Sequence, residues 1–465
     1  MYFNSLTFIY FLPVVFGLFY IISHKYRVFI LLLASYYFYA SWNPAYLSLI
    51  LISTFTDYFA GLSLERVTKK SSRKLILWSS LVINLGMLIY FKYANFFIDT
   101  FNRVNYKAGS PFESIQLLDI ILPVGISFYT FQTISYTIDV YNQKIKPEKN
   151  IAYFALYVSF FAQLVAGPIE RFSDLIQQFK QKAYLTRENL SHGFRLILYG
   201  FFMKMVVADN IGIIVDNTYQ NISTTSSFNL IIAACLYSFQ ILCDFHGYST
   251  IAIGVAKLFD INLSGNFKAP YFSPSLTIFW RKWHITLTSW FRDYIYYPLG
   301  GNKGSKLKWM IAIMIVFIIS GFWHGAQWTF IVWGALHGGL TLLEKIIGAD
   351  KKSTSKLVNT IRSLFIFGLV SILWIFFRSP NFSIAKDFIR GIFNQWELAF
   401  TEINYEPIVY VILFILFDWF TRKKPFHLRL ESIPPIIRWT IYFILIFLIL
   451  ARSGTDVRPF IYFQF

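Results

Sequence analysis

Long apolar runs alternate with short polar segments along the whole chain. Many of the runs approach the roughly 20 apolar residues that a helix needs to cross a bilayer. They lie at 6–22, 28–40, 45–62, 75–91, 119–140, 151–168, 193–208, 229–259, 309–322, 326–345, 362–377, 407–420 and 434–451. The pattern predicts an all-α, polytopic integral membrane protein with about 11 to 13 transmembrane or re-entrant helices.

Composition and charge support this interpretation. Of the 465 residues, 56% are hydrophobic and only 14% are charged, which is typical of a membrane protein and not of a soluble globule. The net charge of +18 would suggest nucleic-acid binding in a soluble protein, but here the basic residues cluster between apolar runs. The positive-inside rule explains that distribution better, so we expect membrane lipids and no nucleic acid as partners.

The basic clusters also orient the helices. The segments expected in the cytoplasm are 63–74, 142–150, 345–362 and 421–429. The segments expected on the outer face, which are poorer in basic residues, are 92–118, 209–228 and 378–406. This alternation places the N-terminus outside, and the first apolar run has no preceding basic region, so we interpret it as a retained span.

No soluble domain is evident, and we expect a single membrane domain over 1–465. Within it we distinguish N-terminal helices at 1–140, a core at 151–345 and C-terminal helices at 362–465. The core contains an amphipathic cytoplasmic segment at 274–308. Near Gly167 and Pro168 the apolar pattern breaks, which indicates either a re-entrant element or an ordinary turn at the interface.

The most distinctive stretch is 321–338, where two Gly-x-x-x-Gly frames enclose His324 and His337. An ionisable side chain at membrane depth is costly and therefore a functional hypothesis, although a histidine can also sit neutral between packed helices. On one continuous helix the two imidazoles would be about 20 Å apart. A turn near Ala326 would instead put them on two antiparallel helices, which the glycines would allow to approach closely.

A third histidine, His284, lies in an aromatic and basic stretch that continues to Gly301. Interleaved tryptophan, tyrosine and basic residues predict an interfacial amphipathic helix on the cytoplasmic side. Its basic side chains, Arg281, Lys282 and Arg292, either anchor the helix to the membrane surface or attract an anionic substrate. Upstream, Asp244 and Tyr248 put polar groups on an otherwise apolar helix.

Histidine is suited to general base catalysis, because its reference pKa is close to neutral. No serine or cysteine is placed as an evident nucleophile, so a base that activates an acceptor hydroxyl is the more economical hypothesis. A metal site at His284, His324 and His337 is an alternative, but no carboxylate lies at ligand spacing. We expect Glu344, two turns after His337, to cap the cytoplasmic end of its helix and to take no part in the chemistry.

Several of these motifs together resemble the membrane-bound O-acyltransferase (MBOAT) family. They are Trp283-His284, Trp290 to Asp293, the stretch around His324, and Trp333 to Gly338. The further segments 123–129, 167–172, 244–249 and 460–465 are similar to its bacterial branch, which contains alginate O-acetyltransferases and is related to the teichoic-acid D-alanylation proteins. The likeness covers nearly the whole chain.

The resemblance implies a helical bundle around a central funnel or tunnel in the bacterial cytoplasmic membrane. It implies catalytic roles for His337, as general base, and for His284, nearer the cytoplasmic mouth. His324, Trp323, Asp244 and Tyr248 would line or support the tunnel, and Arg281, Lys282 and Arg292 would bind the donor. No bound cofactor is implied; the donor substrate would be acetyl-CoA or an acyl carrier thioester, and an exported partner of the SGNH hydrolase type would complete the transfer.

The function expected from these observations is O-acetylation of an extracytoplasmic polysaccharide such as alginate, using an acyl group carried across the membrane. Transfer of D-alanine or another acyl group to a cell-wall polymer is an alternative. A transporter or flippase for a lipid-linked sugar would also need many helices, but it predicts inverted repeats, and the sequence contains no detectable internal repeat. A structural subunit would need no buried histidines.

Overall fold

The computed structural model describes residues 1–109, 113–165, 167–396, 406–452 and 458–461. Within these ranges the regular structure is helical throughout, which confirms the expected all-α class. The chain divides into two compact units. Unit 1 comprises Met1–Asn189 and Ala256–Leu263, and unit 2 comprises Leu190–Val255 and Ser264–Phe465.

Among its described residues, unit 1 contains eight complete α-helices, the first residues of a ninth and the last three residues of a long helix of unit 2. The first nine are α1 (Leu6–Ile21), α2 (His24–Ala40), α3 (Leu47–Arg66), α4 (Lys70–Leu88), α5 (Ala94–Lys107), α6 (Ile126–Tyr141), α7 (Ile151–Ser159), α8 (Phe172–Lys180) and the first residues of α9 (Arg187–Phe201). A buried polar cluster joins α3, α4 and α6. There the Asp57 carboxylate accepts hydrogen bonds from Ser80, from Asn84 at 2.8 Å and from Thr137 at 2.6 Å, so it is not left unsatisfied.

After Ser159 the backbone of unit 1 leaves helical geometry and remains buried up to Glu170, with the exception of residue 166, which lies outside the described ranges. Irregular backbone needs protein partners in such surroundings. The Tyr157 carbonyl accepts a hydrogen bond from the Gln163 side chain at 2.9 Å, and the Tyr157 hydroxyl donates to the Glu170 carbonyl at 3.3 Å. The break predicted at Gly167 and Pro168 is therefore a buried, hydrogen-bonded connection.

Unit 2 contains the rest of the helices. They are the remainder of α9, α10 (Asp209–Gln220), α11 (Ser227–Leu258), α12 (Leu276–Trp280), α13 (Ile285–Phe291), α14 (Lys306–His324), α15 (Trp328–Ile346), α16 (Lys356–Arg378), α17 (Phe382–Asn394), α18 (Glu406–Thr421), α19 (Phe426–Glu431) and α20 (Pro435–Arg452). In the apolar window of α11, 72% of the residues are buried, against 6% for α20. Helix α11 is therefore a core helix, whereas α20 exposes an apolar surface of the kind that suits lipid.

Seven helical stretches of the described chain are long and apolar enough to cross a bilayer. They are Pro44–Arg66, Lys70–Lys107, Arg187–Gln220, Ser227–Leu258, Lys306–His324, Lys356–Arg378 and Pro435–Arg452. Other expected spans coincide with shorter apolar helices, such as α1 and α18. The fold is that of a multi-pass membrane protein.

Helices α14 and α15 form the hairpin that the sequence suggested, with its turn at 325–327. The glycine frames bring the two backbones together. A Cβ atom at Gly321 would lie 2.2 Å from the Phe330 carbonyl oxygen, and one at Gly334 would lie 2.3 Å from the Phe317 carbonyl oxygen. Only glycine fits at this crossing, as expected for close helix packing in a membrane.

The amphipathic helix expected within 274–308 is not present as such. The segment forms two short helices, α12 and α13, followed by one π-helical turn at Arg292–Tyr296. Trp283 and His284 are almost fully buried, although Arg281 just before them is exposed, and from Arg292 onward the chain is mostly exposed or half-buried. The aromatic residues therefore pack inside unit 2, and a surface anchor does not account for them.

Candidate active site

The three histidines occupy different elements of unit 2. His324 is the last residue of α14, His337 lies in the middle of α15, and His284 immediately precedes α13. Each has 3% or less of its surface exposed. The chain turn thus puts His324 and His337 on two helices, which is the second of the two alternatives considered from the sequence, and both imidazoles point into the protein interior.

Tryptophans connect the three imidazoles into one aromatic wall. The Trp333 ring centroid lies 5.3 Å from that of His324 and 4.9 Å from that of His337. The Trp323 centroid lies 5.0 Å from His324 and 6.0 Å from His284. The His284 and His324 rings are themselves 6.5 Å apart. The structure therefore brings together four of the residues predicted for the site, with Trp333 as an unpredicted link.

His337 stands out because neither of its ring nitrogens has a hydrogen-bond partner among the described residues. Its nearest neighbours are the rings of Trp280, at 5.0 Å, and Trp333. The indole N–H groups of both tryptophans and the hydroxyl of Thr341, one turn along α15, are also buried without a described partner. Buried polar atoms in native structures are normally paired, so this concentration marks a place where a polar substrate group can be accommodated.

His284 has an unusual backbone conformation. Its φ of 43° and ψ of 55° lie in the left-handed region, which is unfavourable for a side chain with a Cβ atom. Asn266 holds the residues that follow: its carbonyl accepts from the Ile285 amide at 2.9 Å, and its side chain accepts from the Thr286 hydroxyl at 2.7 Å. The turn thereby directs the imidazole toward Phe245, 4.6 Å away, and toward the tryptophan wall.

Glu344 positions the helix that carries Trp280. Its carboxylate accepts hydrogen bonds from the Leu276 amide at 2.7 Å and from the amide and hydroxyl of Thr277 at 2.9 and 2.8 Å. These groups form the N-terminus of α12, where a negative charge is favourable. The expectation that Glu344 caps its own helix is therefore wrong: it caps α12 from a position 67 residues further along the chain.

Asp244 and Tyr248 do not contact the three imidazoles in the described contacts; they connect to His284 through the C-terminal residues Phe460 and Ile461 and through Phe245. The Asp244 carboxylate pairs with the buried Lys204 ammonium at 2.5 Å and accepts from the Ile461 amide at 2.8 Å. Phe460 packs on Tyr248 at 5.1 Å and on Phe245 at 5.4 Å, and Phe245 is the residue that contacts His284. Residues 462–465 of the aromatic tail lie outside the described ranges.

The three basic residues expected to bind a donor have different surroundings. Arg281 is exposed, and Arg292 is engaged by the neighbouring Asp293 carboxylate at 2.8 Å. Lys282 is half-buried and donates to the Ala269 carbonyl at 3.3 Å. Burial and the nearby charge of Lys352 lower the pKa of the Lys282 ammonium, and Lys268 and Arg422 act in the same direction.

We call Lys268, Lys282, Lys352 and Arg422 the basic cluster. Local contacts account for their proximity, because the Ser275 hydroxyl donates to the Asp350 carbonyl at 3.1 Å and the Phe272 ring lies 5.2 Å from that of Trp419, over which Arg422 stacks. At Lys282 the other three cations are opposed by Asp418, and such an excess of positive charge attracts anions. Sequence reasoning identified only Lys282, because the other three are spread over distant segments.

The two ends of α15 lie in different surroundings. At its C-terminal end lie Glu344 and the loop with Lys352, and therefore the basic cluster, of which Lys282, Lys352 and Arg422 are in segments predicted to be cytoplasmic. At its N-terminal end the Thr329 hydroxyl donates to the Ser379 carbonyl at 3.2 Å, and Arg378 lies over the Tyr219 ring at 5.0 Å. Both predicted outer segments of unit 2 thus meet at this end, with His337 between the two.

Within the described part of the chain, no three His, Cys, Asp or Glu side chains gather as potential metal ligands. The aromatic wall separates the imidazoles instead of converging them on a point.

Comparison with known proteins gives a consistent result. The profile of the MBOAT, membrane-bound O-acyltransferase family, matches residues 143–385. A probable alginate O-acetylase of Pseudomonas syringae is 39% identical over 87% of this chain and 77% of its own length. A peptidoglycan O-acetyltransferase of Helicobacter pylori is 37% identical over 81% and 75%. A teichoic acid D-alanyltransferase of Streptococcus thermophilus is 29% identical over 49% and 60%.

Proposed function

Because this chain belongs to the membrane-bound O-acyltransferase family, we propose that it moves an acetyl group from a cytoplasmic thioester donor across the bacterial cytoplasmic membrane for O-acetylation of an extracytoplasmic polysaccharide. The observation that carries the proposal is the buried His337 imidazole, whose two nitrogens have no partner among the described residues, midway between a basic end and a polar end of unit 2.

His337 acts as the general base in this proposal. The neutral imidazole takes the proton of an acceptor hydroxyl as that oxygen attacks the thioester carbonyl carbon. The new C–O bond forms, the C–S bond breaks, and the leaving thiolate recovers the proton from the imidazolium. The indole N–H groups of Trp280 and Trp333 supply nearby donors that can stabilise negative charge on the carbonyl oxygen, in a site from which bulk water is excluded.

The donor enters from the side of the basic cluster. Both acetyl-CoA and a carrier-bound phosphopantetheine thioester carry phosphate groups, which Lys268, Lys282, Lys352 and Arg422 attract. His284 follows Lys282 by two residues in the chain and belongs to the aromatic wall, through Trp323. We infer that His284 contacts the thioester end of the donor and orients the thioester toward His337.

The relatives favour acetyl over D-alanyl transfer. Those named for O-acetylation of alginate or peptidoglycan are more identical to this chain, and over a larger part of it, than the teichoic acid D-alanyltransferase. We propose a polysaccharide acceptor of the alginate type, with an exported acetyltransferase of the SGNH hydrolase type completing the transfer outside.

Replacing His337 with Ala tests the proposal. Loss of the base is expected to lower polymer acetylation and thioester turnover by about 10²- to 10⁴-fold, the contribution usual for general base catalysis. The measurement is transfer of labelled acetyl groups from acetyl-CoA by membranes that contain the protein, together with the exported partner. Added imidazole should restore part of the activity, because the substitution leaves a ring-sized space between Trp280 and Trp333.

His192→Asn is the matched control. His192 is also a buried histidine of unit 2, but it pairs with Glu431 at 2.6 Å, away from the aromatic wall. Its variant should retain acetyl transfer. Full activity of the His337→Ala protein would refute the catalytic assignment, and equal losses in both variants would indicate a folding defect instead.

A further inference from the structure

A polar groove lies at the end of unit 2 opposite the basic cluster. It encloses about 440 Å³ between the end of α10, the 3₁₀ turn at Ile222–Thr224 and helix α17. Its polar lining residues are Gln220, Ser223, Asp387, Arg390, Asn394 and Gln395. Neither the catalytic proposal nor the basic cluster uses any of them.

Helix α17 presents three separate faces. Asp387, Arg390 and Asn394 are spaced three and four residues apart, so they share one stripe, and that stripe lines the groove. Ala385 and Phe388 are buried on a second face. The exposed aromatic residues Phe382 and Phe393 are eleven residues apart, about three turns, and lie on a third face that suits the lipid interface.

The groove side chains are available for a ligand. Among the described residues, Arg390 and Asp387 form no ion pair although they are three residues apart on one helix, and the only described partner of the Asp387 carboxylate is the Ser383 hydroxyl at 3.4 Å. The amides of Gln220 and Asn394 and the hydroxyl of Ser223 have no described hydrogen bond. Charged and amide side chains with their hydrogen-bonding capacity unused, all facing one cavity, are the composition of a polar binding site.

The walls of the groove are fixed to each other. The Ser227 amide donates to the Gln395 carbonyl at 3.0 Å, the Gln395 amide donates to the Ser227 hydroxyl at 3.0 Å, and that hydroxyl donates to the Gly391 carbonyl at 2.8 Å. At Gly391 a Cβ atom would lie 2.6 Å from Leu230, so α17 packs tightly there. A preorganised site binds with less loss of conformational entropy.

The position of the groove relates it to the active site. Tyr219 borders it, lies under Arg378 and packs on Phe388 at 4.6 Å, and Arg378 directly follows Phe377, whose ring is 5.4 Å from His324. The groove is thus connected to the aromatic wall through Tyr219, Arg378 and Phe377. It lies between segments 209–228 and 378–406, which the charge pattern assigns to the outer face.

We propose that this groove binds a carboxylate-bearing saccharide unit of the acceptor polymer. Arg390 takes the carboxylate through its planar guanidinium, and Asp387, Asn394 and Gln220 take ring hydroxyls. A protein partner would be expected to anchor on exposed aromatic or large apolar side chains, but Tyr219, the one aromatic residue of the lining, is buried, and Phe382 and Phe393 face elsewhere. The inference rests on the proposed polysaccharide acceptor.

Binding of defined saccharides to the purified full-length protein in lipid nanodiscs tests the proposal, measured by saturation-transfer NMR and calorimetry without any acyl donor. The probes are an alginate oligosaccharide, whose carboxylates are those of its uronate rings, and a peptidoglycan muropeptide, whose carboxylates lie on the lactyl and peptide groups. Saturable binding of one of the two probes identifies whether the groove takes a uronate carboxylate or a lactyl or peptide carboxylate. Arg390→Gln should weaken that binding about tenfold, because a charge-assisted bidentate contact is lost.

Lys386→Gln is the matched control, since it removes one positive charge from the same helix outside the groove lining. It should leave the affinity unchanged. Equal weakening by both variants would overturn the proposal, and so would the absence of saturable binding of either probe. It would also be overturned if the Arg390→Gln protein bound the saccharide normally but no longer bound an exported partner protein. These binding measurements contain no acyl donor, so their results do not depend on acetyl transfer. The proposed function is tested separately, because it would be refuted if the wild-type protein transferred no acetyl groups.

Discussion

At the scale of single residues, His337 differs from His192, another buried histidine of unit 2, in what surrounds it. His192, for example, is fixed by the Glu431 carboxylate, whereas the described contacts of His337 are the faces and edges of aromatic rings. No described protein group selects which of its nitrogens carries the proton. In the proposed mechanism the substrate would determine the tautomer, as suits a residue that first accepts a proton and then returns it.

The backbone of His284 provides a residue-scale prediction. His284→Asn removes the imidazole but keeps a residue type that tolerates left-handed φ, so the turn before α13 should be retained. We expect donor affinity to fall by about tenfold, with a large loss of acetyl transfer and little change in thermal stability. Donor binding is measured by calorimetry with a non-hydrolysable acetyl-CoA analogue. Normal affinity and rate in this variant would contradict a donor-contacting role.

At the scale of secondary-structure elements, the α14–α15 crossing should be intolerant of even one methyl group. Gly334→Ala would force the backbones apart at the Phe317 carbonyl, at a cost of about 1–3 kcal/mol typical of overpacking. Gly339→Ala is the matched control on the same helix, because a Cβ atom there meets nothing within 4 Å. It should be neutral or slightly stabilising. Thermal unfolding in detergent measures both, and equal melting temperatures would contradict the close crossing.

The same elements show what the sequence could and could not predict. The hairpin was predictable, because glycine spacing and two apolar runs are local signals on either side of residues 325–327. The burial of 276–291 was not. Tryptophans and basic residues at helical spacing favour an interfacial helix, but the Glu344 carboxylate and Asn266 fold this segment into unit 2. Contacts 67 and 20 residues distant in sequence leave no local pattern.

At the scale of the whole molecule, the charge distribution predicts how the donor is held. Replacing both Lys282 and Lys352 with Gln removes two cations of the basic cluster, each worth about 1 kcal/mol for a partly exposed anionic contact. We expect the KM for acetyl-CoA to rise roughly ten- to thirtyfold, with a smaller change in kcat and a weaker dependence on salt.

The control for this prediction is Lys306→Gln, at the exposed start of α14 and outside the basic cluster. Its KM should remain that of the wild type. If Lys306→Gln raises the KM as much as the double variant does, the donor responds to the general positive charge of this face and not to the cluster.

Which residues belong to the candidate site could be predicted from the sequence better than how these residues are arranged. The histidines and Trp323 are evident from motifs, and the charge of the loops separates the two faces. Trp280, Trp333, Lys268, Lys352 and Arg422 were missed because an isolated tryptophan or a loop lysine is not distinctive until distant segments are brought together. The groove beside α17 was also missed, since its polar residues are ordinary for a surface helix.

The glycine crossing has a mechanical consequence. With backbone packed on backbone at Gly321 and Gly334, a slide of one helix past the other by a turn would drive bulky side chains into carbonyl groups. Helices α14 and α15 therefore behave as a rigid frame that fixes the depth of His337. If a donor enters as proposed, the room for it would come from α12 and α13, whose N-termini are held by individual hydrogen bonds to Glu344 and Asn266 and not by backbone packing.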